Sequence, residues 1–285
     1  MSTAEDQRRI VVGIDRSPRA LEAVRWAAAE ATRRGAGLCL VTAVVEPDRR
    51  VLGFPADAVL EPARKGIEEA AAAAAEVAPA VPIERKVEVG HPVAVLTTES
   101  QHAALLVVGA DGFGRITALV AGSVAVGVST QAACPVVVVR GEQHGSTAPV
   151  VLGVDASPVG EAAIAFAFEA AALRGVPVVA VHTWGDPPGD VWTAPQWGEL
   201  ADQAKRQLAE HLAGWTEKHP NVHVQRIVSH NHPARGLLEL SEEAQLVVVG
   251  SRGHGQLVGL ILDSVSNAVV HGAACPVAVV RPQQA

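Results

Sequence analysis

One eight-residue stretch of this chain occurs twice. Val11-Val12-Gly13-Ile14-Asp15-Arg16-Ser17-Pro18 returns 140 residues later as Val151-Leu152-Gly153-Val154-Asp155-Ala156-Ser157-Pro158. His91-Pro92 returns as His232-Pro233, and Cys134-Pro135-Val136 as Cys275-Pro276-Val277, both at an offset of 141. Self-similarity at a fixed period confines the chain to two copies of one architecture, and a unit of about 140 residues is the size of one ordinary domain. Gly141 to Pro149 is polar and rich in Gly, Ser and Pro, which reads as a linker. The expected domains are therefore residues 1–143 and 148–285.

Each unit alternates short Val-rich runs with longer helical patterns. In the first, Ile10–Ile14 is apolar without alternation, as a strand buried on both faces should be. Ser17 is placed to cap a helix with Pro18 at its first position. That helix runs from Arg19 to Arg34 and ends at Gly35 and Gly37. Leu38–Val45 is the next strand, Pro62 to Val77 a second helix, and Pro82–Val89 an alternating edge strand. A short helix from Pro92 to Gln101, a strand Ala104–Val108, a helix from about Gly122 and a last strand Val136–Arg140 complete the unit. The order βαβαβαβαβ predicts an α/β fold: a doubly wound, five-stranded parallel sheet with right-handed crossovers, made twice in tandem. Ligands of such sheets bind at the carboxyl ends of the strands, where the strand order reverses. Asp15, the Val41–Val44 region and the 109–123 segment all fall at strand ends.

Composition narrows the function. Hydrophobic residues make up 49% of the chain, enough for two large cores, and the formal net charge of -7 argues against broad binding to nucleic acid, which needs clustered basic residues. Cys39, Cys134 and Cys275 are too few and too scattered for a disulfide framework or a zinc site, so a reducing cytoplasm is the expected compartment. Met1 to Arg9 is polar and shows no apolar leader. Ile116 to Val139 carries no charged residue, but Ser123, Ser129, Thr130, Gln131 and Pro135 interrupt it, and a buried helix followed by a buried strand explains it better than a membrane span.

The chemistry-bearing feature is Gly109-Ala110-Asp111-Gly112, nine residues, then Gly122-Ser123, directly after a strand. Glycines at a strand end let the backbone turn sharply and come close to a ligand. A hydroxyl at the start of the next helix adds to N–H groups that favour anions. A near copy reads Gly250-Ser251-Arg252-Gly253, nine residues, then Asp263-Ser264, with aspartate in place of the third glycine. Neither G-x-x-x-x-G-K-[ST] nor a G-x-G-x-x-G after the first strand is present. Asp15 and Asp155 suit hydrogen bonds from a ribose or a base amino group, or a helix start that favours negative charge.

Together these features resemble the universal stress protein family, in its tandem two-domain form common in actinobacteria, over essentially the whole chain. The resemblance rests on Val-Gly-Ile-Asp15-x-Ser17, Gly90-His91-Pro92, the Gly109 to Ser123 motif and Cys134-Pro135-Val136-Val137-Val138-Val139. It implies strand order 3-2-1-4-5 and ATP binding, with Mg2+ or Mn2+ only through the phosphates. It implies that Asp15 holds the adenosine part and that the backbone near Ala43 meets adenine. Gly109, Gly112, Gly114 and Arg115 would line the phosphates, and Gly122 and Ser123 would bind them at the helix start, with Gly13 and Val124 in the same set. The second-unit counterparts are Gly153, Asp155, Thr183, Gly250, Gly253, Gly255, Ser264 and Val265. A carboxylate at Asp263 would face the triphosphate, or its Cβ would fill the space the backbone approach needs, so the second site is expected to be impaired. The implied role is a nucleotide-responsive regulator of stress or growth state acting on a protein partner, with a slow ATPase or phosphotransferase and a nucleotide-independent interaction protein as alternatives. The apolar runs Val136–Val139 and Val277–Val280 would be a liability as exposed sheet edges. They are expected to pair within the chain or across a homodimer.

Other residues carry weaker signals. His230-Asn231-His232 lacks a third metal ligand nearby. His254 sits inside the second glycine loop, and Trp184, Trp192 and Trp197 cluster around the longest loop of the second unit. No catalytic triad order and no general base for phosphoryl transfer stand out, and Arg115 is the only basic residue of the first glycine loop.

Overall fold

The computed structural model describes residues 9–45, 57–110, 122–141, 145–155, 160–184, 194–230, 232–251 and 262–281. The chain divides into two compact units, Met1–Arg140 and Gly141–Ala285.

Unit 1 runs β1 (Ile10–Gly13), α1 (Pro18–Arg34), β2 (Leu38–Val44), α2 (Asp57–Val77), β3 (Ile83–Val89), α3 (Pro92–Ser100), β4 (Leu105–Gly109), α4 (Ser123–Gln131) and β5 (Val136–Val139). The strands pair in parallel in the order β3-β2-β1-β4-β5, with Gly13 opposite Val41 and Gly109 opposite Val139. Unit 2 repeats this as β6 (Val150–Gly153), α5 (Glu161–Arg174), β7 (Val178–Trp184), α6 (Ala194–Lys218), β8 (Val224–His230), α7 (Pro233–Ser241), β9 (Leu246–Gly250), α8 (Ser264–Gly272) and β10 (Val277–Val280). Its order, β8-β7-β6-β9-β10, is likewise 3-2-1-4-5. Both sheets match the doubly wound expectation.

Local sequence explains most element ends. The Ser17 hydroxyl accepts the N–H of Ala20 at 3.1 Å, Pro18 opens α1, and Gly35 closes it at φ 58°, a left-handed conformation suited to glycine. Gly175 closes α5 in the same way at φ 65°. Strands β1, β4, β6 and β9 are apolar throughout and buried, as central parallel strands must be. β3 carries Glu84, Arg85, Lys86 and Glu88 and is half exposed, which suits a sheet edge. A partly buried ionic cluster fastens it: Arg9 pairs with Glu84 at 3.3 Å and with Glu99 at 3.1 Å, and Lys86 reaches Glu99 at 3.1 Å.

Two details depart from the sequence reading. α2 begins at Asp57 and runs through Pro62, which costs one backbone hydrogen bond near the helix start and does not end the helix. Ile14, Val45, Ala104 and Arg140 fall just outside the strands assigned to them. Among the described residues, no helix is long and apolar enough to cross a membrane. The three cysteines are buried as free thiols. Burial pushes the thiols of Cys39 and Cys134 up to about 12, so neither is a ready nucleophile.

Candidate functional site

The carboxyl ends of β1, β2 and β4 surround a cavity of about 350 Å³ in unit 1. β1 stands between β2 and β4, so this is where the strand order reverses. Gly13, Ile14 and Asp15 line it after β1, Val41 and Ala43 from β2, Pro92 and Leu96 from α3, Val108 and Gly109 from β4, and Gly122 to Ala125 from the start of α4. Seven residues chosen from sequence therefore converge: Gly13, Asp15, Ala43, Gly109, Gly122, Ser123 and Val124. Gly112, Gly114 and Arg115 lie outside the described residues.

Each element contributes a different property. Leu96, Val41 and Val108 make an apolar floor. A Cβ on Gly13 would come 2.8 Å from Leu96 Cδ1 and 3.2 Å from Val108 Cγ1, so glycine there leaves the floor its depth. Asp15 also lines the cavity, and its Oδ1 accepts the N–H of Ser17 at 3.0 Å, a local turn that orients the carboxylate. Arg16, next in the chain, adopts φ 63°, uncommon for a residue with a side chain.

The start of α4 also lines the cavity. Its cap residue, Gly122, has no side chain to satisfy first-turn donors, and no side-chain cap bond is made. The Gly122 N–H donates to the Ala110 carbonyl at 2.6 Å, which holds together the two ends of the 110–122 segment. The Gly122 carbonyl accepts from Val126 N–H at 3.2 Å, so the helix proper begins at Ser123, whose side chain is exposed. The N–H groups of Ser123, Val124 and Ala125 belong to the first turn, where an α-helix offers no internal acceptor. An apolar cavity lined by a carboxylate and an uncapped helix start suits a ligand with a flat apolar body and an anionic tail.

Gly109 has a purpose the sequence reading did not assign. A Cβ there would lie 3.0 Å from both the carbonyl carbon and the oxygen of Arg19, and 3.2 Å from Ala20 N. Its missing side chain admits the backbone of α1, while its own backbone lines the cavity. Leu96, Val108, Ile14 and Ala125 were also missed. Of these only Leu96 had a sequence signal, since it lies four residues after Pro92 on the same helix face.

Unit 2 keeps this frame and alters its ends. A Cβ on Gly153 would meet Leu237 at 3.0 Å and Val249 at 3.5 Å, as Gly13 meets its own neighbours. Asp155 Oδ1 lies 2.7 Å from the place of a Cβ on Gly160. Its Oδ2 is buried and has no hydrogen-bond partner among the described residues. The Thr183 methyl packs toward Gly236 of α7, and His182 Nδ1 lies 2.9 Å from the Val154 carbonyl oxygen. Gly250 and Val265 are half-buried and Ser264 is exposed. The expectation that Asp263 projects toward a ligand is corrected: its carboxylate turns back and caps α8, accepting the Ser266 N–H at 2.7 Å. Side chains of serine, asparagine and aspartate at a helix start compete for local N–H groups, and here that competition wins. Gly253, His254, Gly255, Asn231 and Trp192 lie outside the described residues, as do the side chains of Trp184, Trp197 and His230. His232 caps α7 without a side-chain cap bond.

The universal stress protein family model matches the chain twice, at residues 7–140 and 147–281. The chain is 39% identical over 303 residues to a universal stress protein of Mycobacterium tuberculosis strain H37Rv, covering 99% of both. It is 39% identical over 289 residues to one from Mycolicibacterium smegmatis, covering 96% of this chain and 97% of that protein. The crystal structure of a universal stress protein from Archaeoglobus fulgidus superposes with a TM-score of 0.75 at 18% identity, covering 99% of this chain and 100% of that one, a likeness of fold. With the family pattern present in both units, this tandem α/β chain belongs to the universal stress protein family.

Proposed function

We propose that unit 1 binds an adenine nucleotide, ATP in the first instance, and that the chain is a nucleotide-responsive regulator of stress or growth state. The observation that carries this reading is the cavity at the ends of β1, β2 and β4, apolar along its floor and closed by the uncapped start of α4. The fit is supported by Gly13, where any side chain would intrude on Leu96 and shorten the slot. In this reading the backbone near Ala43 meets the base, and Asp15 accepts hydrogen bonds from the ribose hydroxyls. Gly122 and Ser123 receive the phosphates at the helix start, and Gly109, Gly112, Gly114 and Arg115 line them. A divalent cation, Mg2+ or Mn2+, would arrive with the phosphates and offset their charge. Nucleotide binding would then change the surface offered to a protein partner.

The apolar runs Val136–Val139 and Val277–Val280 support a further part of the reading, pairing of sheet edges within the chain or in a homodimer.

The test is to purify the chain from cells, denature it and identify the released small molecule by mass spectrometry. An adenine nucleotide in near-stoichiometric amount is expected. Protein that releases none, and takes up no ATP in subsequent calorimetry, would remove the nucleotide reading and favour a purely protein-binding role.

A further inference from the structure

We infer that Asp263 is a specificity-determining residue: its carboxylate occupies the start of α8 as a built-in anion, so that unit 2 rejects phosphate where unit 1 accepts it. The inference rests on the proposed phosphate role of unit 1 only for what the open helix start takes. At an offset of 141, Gly122, Ser123, Val124 and Ala125 of unit 1 become Asp263, Ser264, Val265 and Ser266.

Two contacts separate these otherwise matching helix starts. Asp263 accepts the N–H of Ser266 at 2.7 Å. The corresponding donor in unit 1 is the N–H of Ala125, and Gly122 has no side chain to receive it. The Ser266 hydroxyl also donates to the Gly250 carbonyl at 2.5 Å, tying the start of α8 to the end of β9, whereas Ala125 at the matching position has no hydroxyl. A carboxylate at a helix cap both uses a first-turn donor and meets the positive end of the helix dipole. A phosphate arriving at α8 would find that donor taken and a fixed negative charge beside it. Like charges at such range repel strongly enough to weaken binding by at least about tenfold.

The floor of the frame is kept. Gly153 meets Leu237 and Val249 as Gly13 meets Leu96 and Val108, and Asp155 stands where Asp15 stands. At the helix start, the difference between the units is therefore discrimination against phosphate, with the frame of the fold retained.

The experiment follows backbone amide signals of the isotopically labelled full chain while inorganic tripolyphosphate is added. In the wild type the Ala125 amide is expected to shift and the Ser266 amide to stay in place until at least about tenfold higher concentration. In Asp263→Gly the Ser266 amide is expected to respond in the same range as Ala125, and in Gly122→Asp the Ala125 response is expected to vanish. A wild-type Ser266 amide that titrates together with Ala125 overturns the inference, and so does a Ser266 amide that stays silent in Asp263→Gly. If Ser266 responds in that variant while Ala125 is silent in every protein, the inference stands and the phosphate reading of unit 1 fails. Should removal of the cap unravel α8, Asp263→Asn keeps a capping oxygen without the charge, and the same Ser266 readout decides.

Discussion

Arg16 lies across Gly66: a Cβ built on Gly66 would stand 2.6 Å from Arg16 Cγ and 2.9 Å from its Cδ. A helix-interior glycine normally weakens a helix by about 1 kcal/mol relative to alanine, and Gly66 sits inside α2. Here the missing side chain gives Arg16 its resting place, and Arg16 in turn holds φ 63° beside Asp15 at the cavity. In sequence the second unit reverses the sizes, with Ala156 and Gln207 at the matching positions. Gly66→Ala is therefore expected to destabilise the chain by about 1–2 kcal/mol in urea unfolding, against the helix-propensity trend. Arg16→Gly combined with Gly66→Ala should recover most of that loss. A stabilising Gly66→Ala would show that Arg16 moves aside without cost.

Gly109 and Gly13 should respond unequally to the same change. A methyl on Gly109 meets the Arg19 backbone at 3.0 Å, and a helix backbone does not yield cheaply. A methyl on Gly13 meets the Cδ1 end of Leu96 at 2.8 Å, a group that can turn. Gly109→Ala is expected to cost about 2–3 kcal/mol of stability, and Gly13→Ala about 1 kcal/mol or less. Gly13→Ala shortens the apolar slot, so it should weaken nucleotide binding more than it weakens the fold. Unfolding curves and calorimetric titrations of the two variants separate these effects, and equal stability losses would contradict the assignment of Gly109 to helix packing.

How much of this could be read from sequence depends on the range of each cause. Ser17, Pro18 and Gly35 act within one helical turn, so the ends of α1 were legible. The Val-rich runs and the repeat made a tandem doubly wound parallel sheet legible through general rules, whereas the order 3-2-1-4-5 came from the family resemblance. Asp15, Gly109, Gly122 and Ser123 were legible as strand-end or helix-start residues, and they do share one cavity. Leu96 offered only its helical spacing from Pro92, because its place on the floor depends on how α3 crosses β1 and β4. A second demand for glycine at 109 was hidden for the same reason: the atom that makes it belongs to Arg19, ninety residues earlier in the chain. Asp263 shows a different limit. Its charge was evident, but whether it faced a ligand or its own helix was a choice between two nearby donors that composition does not rank.

The buried thiols set an alkaline limit to stability. Burial pushes the thiols of Cys39 and Cys134 from their ordinary 9.0 up to about 12, because an ionised sulfur would be stranded in the core. The unfolded chain releases these protons first, so the stabilisation is complete below 9.0 and declines as pH rises toward about 12. The chain has no tyrosine, which leaves cysteine and lysine to dominate this range. The urea midpoint is expected to be flat near neutrality and to fall above pH 9.0, with a shallower fall in Cys39→Ala/Cys134→Ala. Thiol reagents should label both residues only as fast as the chain opens. Rapid labelling of Cys39 or Cys134 in the native chain would contradict their enclosure.

Glu30 offers the sharpest test of how the two units solve one packing problem. It is 0% exposed in α1, paired with Arg34 at 2.6 Å and Arg33 at 3.4 Å. Unit 2 places Ala170, Leu173 and Arg174 at the matching positions, and Arg174 donates instead to the Ala170 carbonyl at 3.1 Å. Removing one partner of a buried pair weakens the compensation of the charge it faced, at a cost of up to about 3 kcal/mol. Glu30→Ala alone should approach that cost, since Arg33 and Arg34 are left as adjacent cations. Adding Arg33→Leu recreates the unit 2 arrangement, removes one of those cations and frees Arg34 to turn toward the helix carbonyl. The double variant should therefore be more stable than Glu30→Ala by about 1 kcal/mol, although Arg33→Leu alone is expected to be neutral or destabilising. Urea unfolding of the three variants measures the coupling. Additive losses would mean that Arg34 keeps its place without Glu30, and that the unit 2 solution does not transfer to α1.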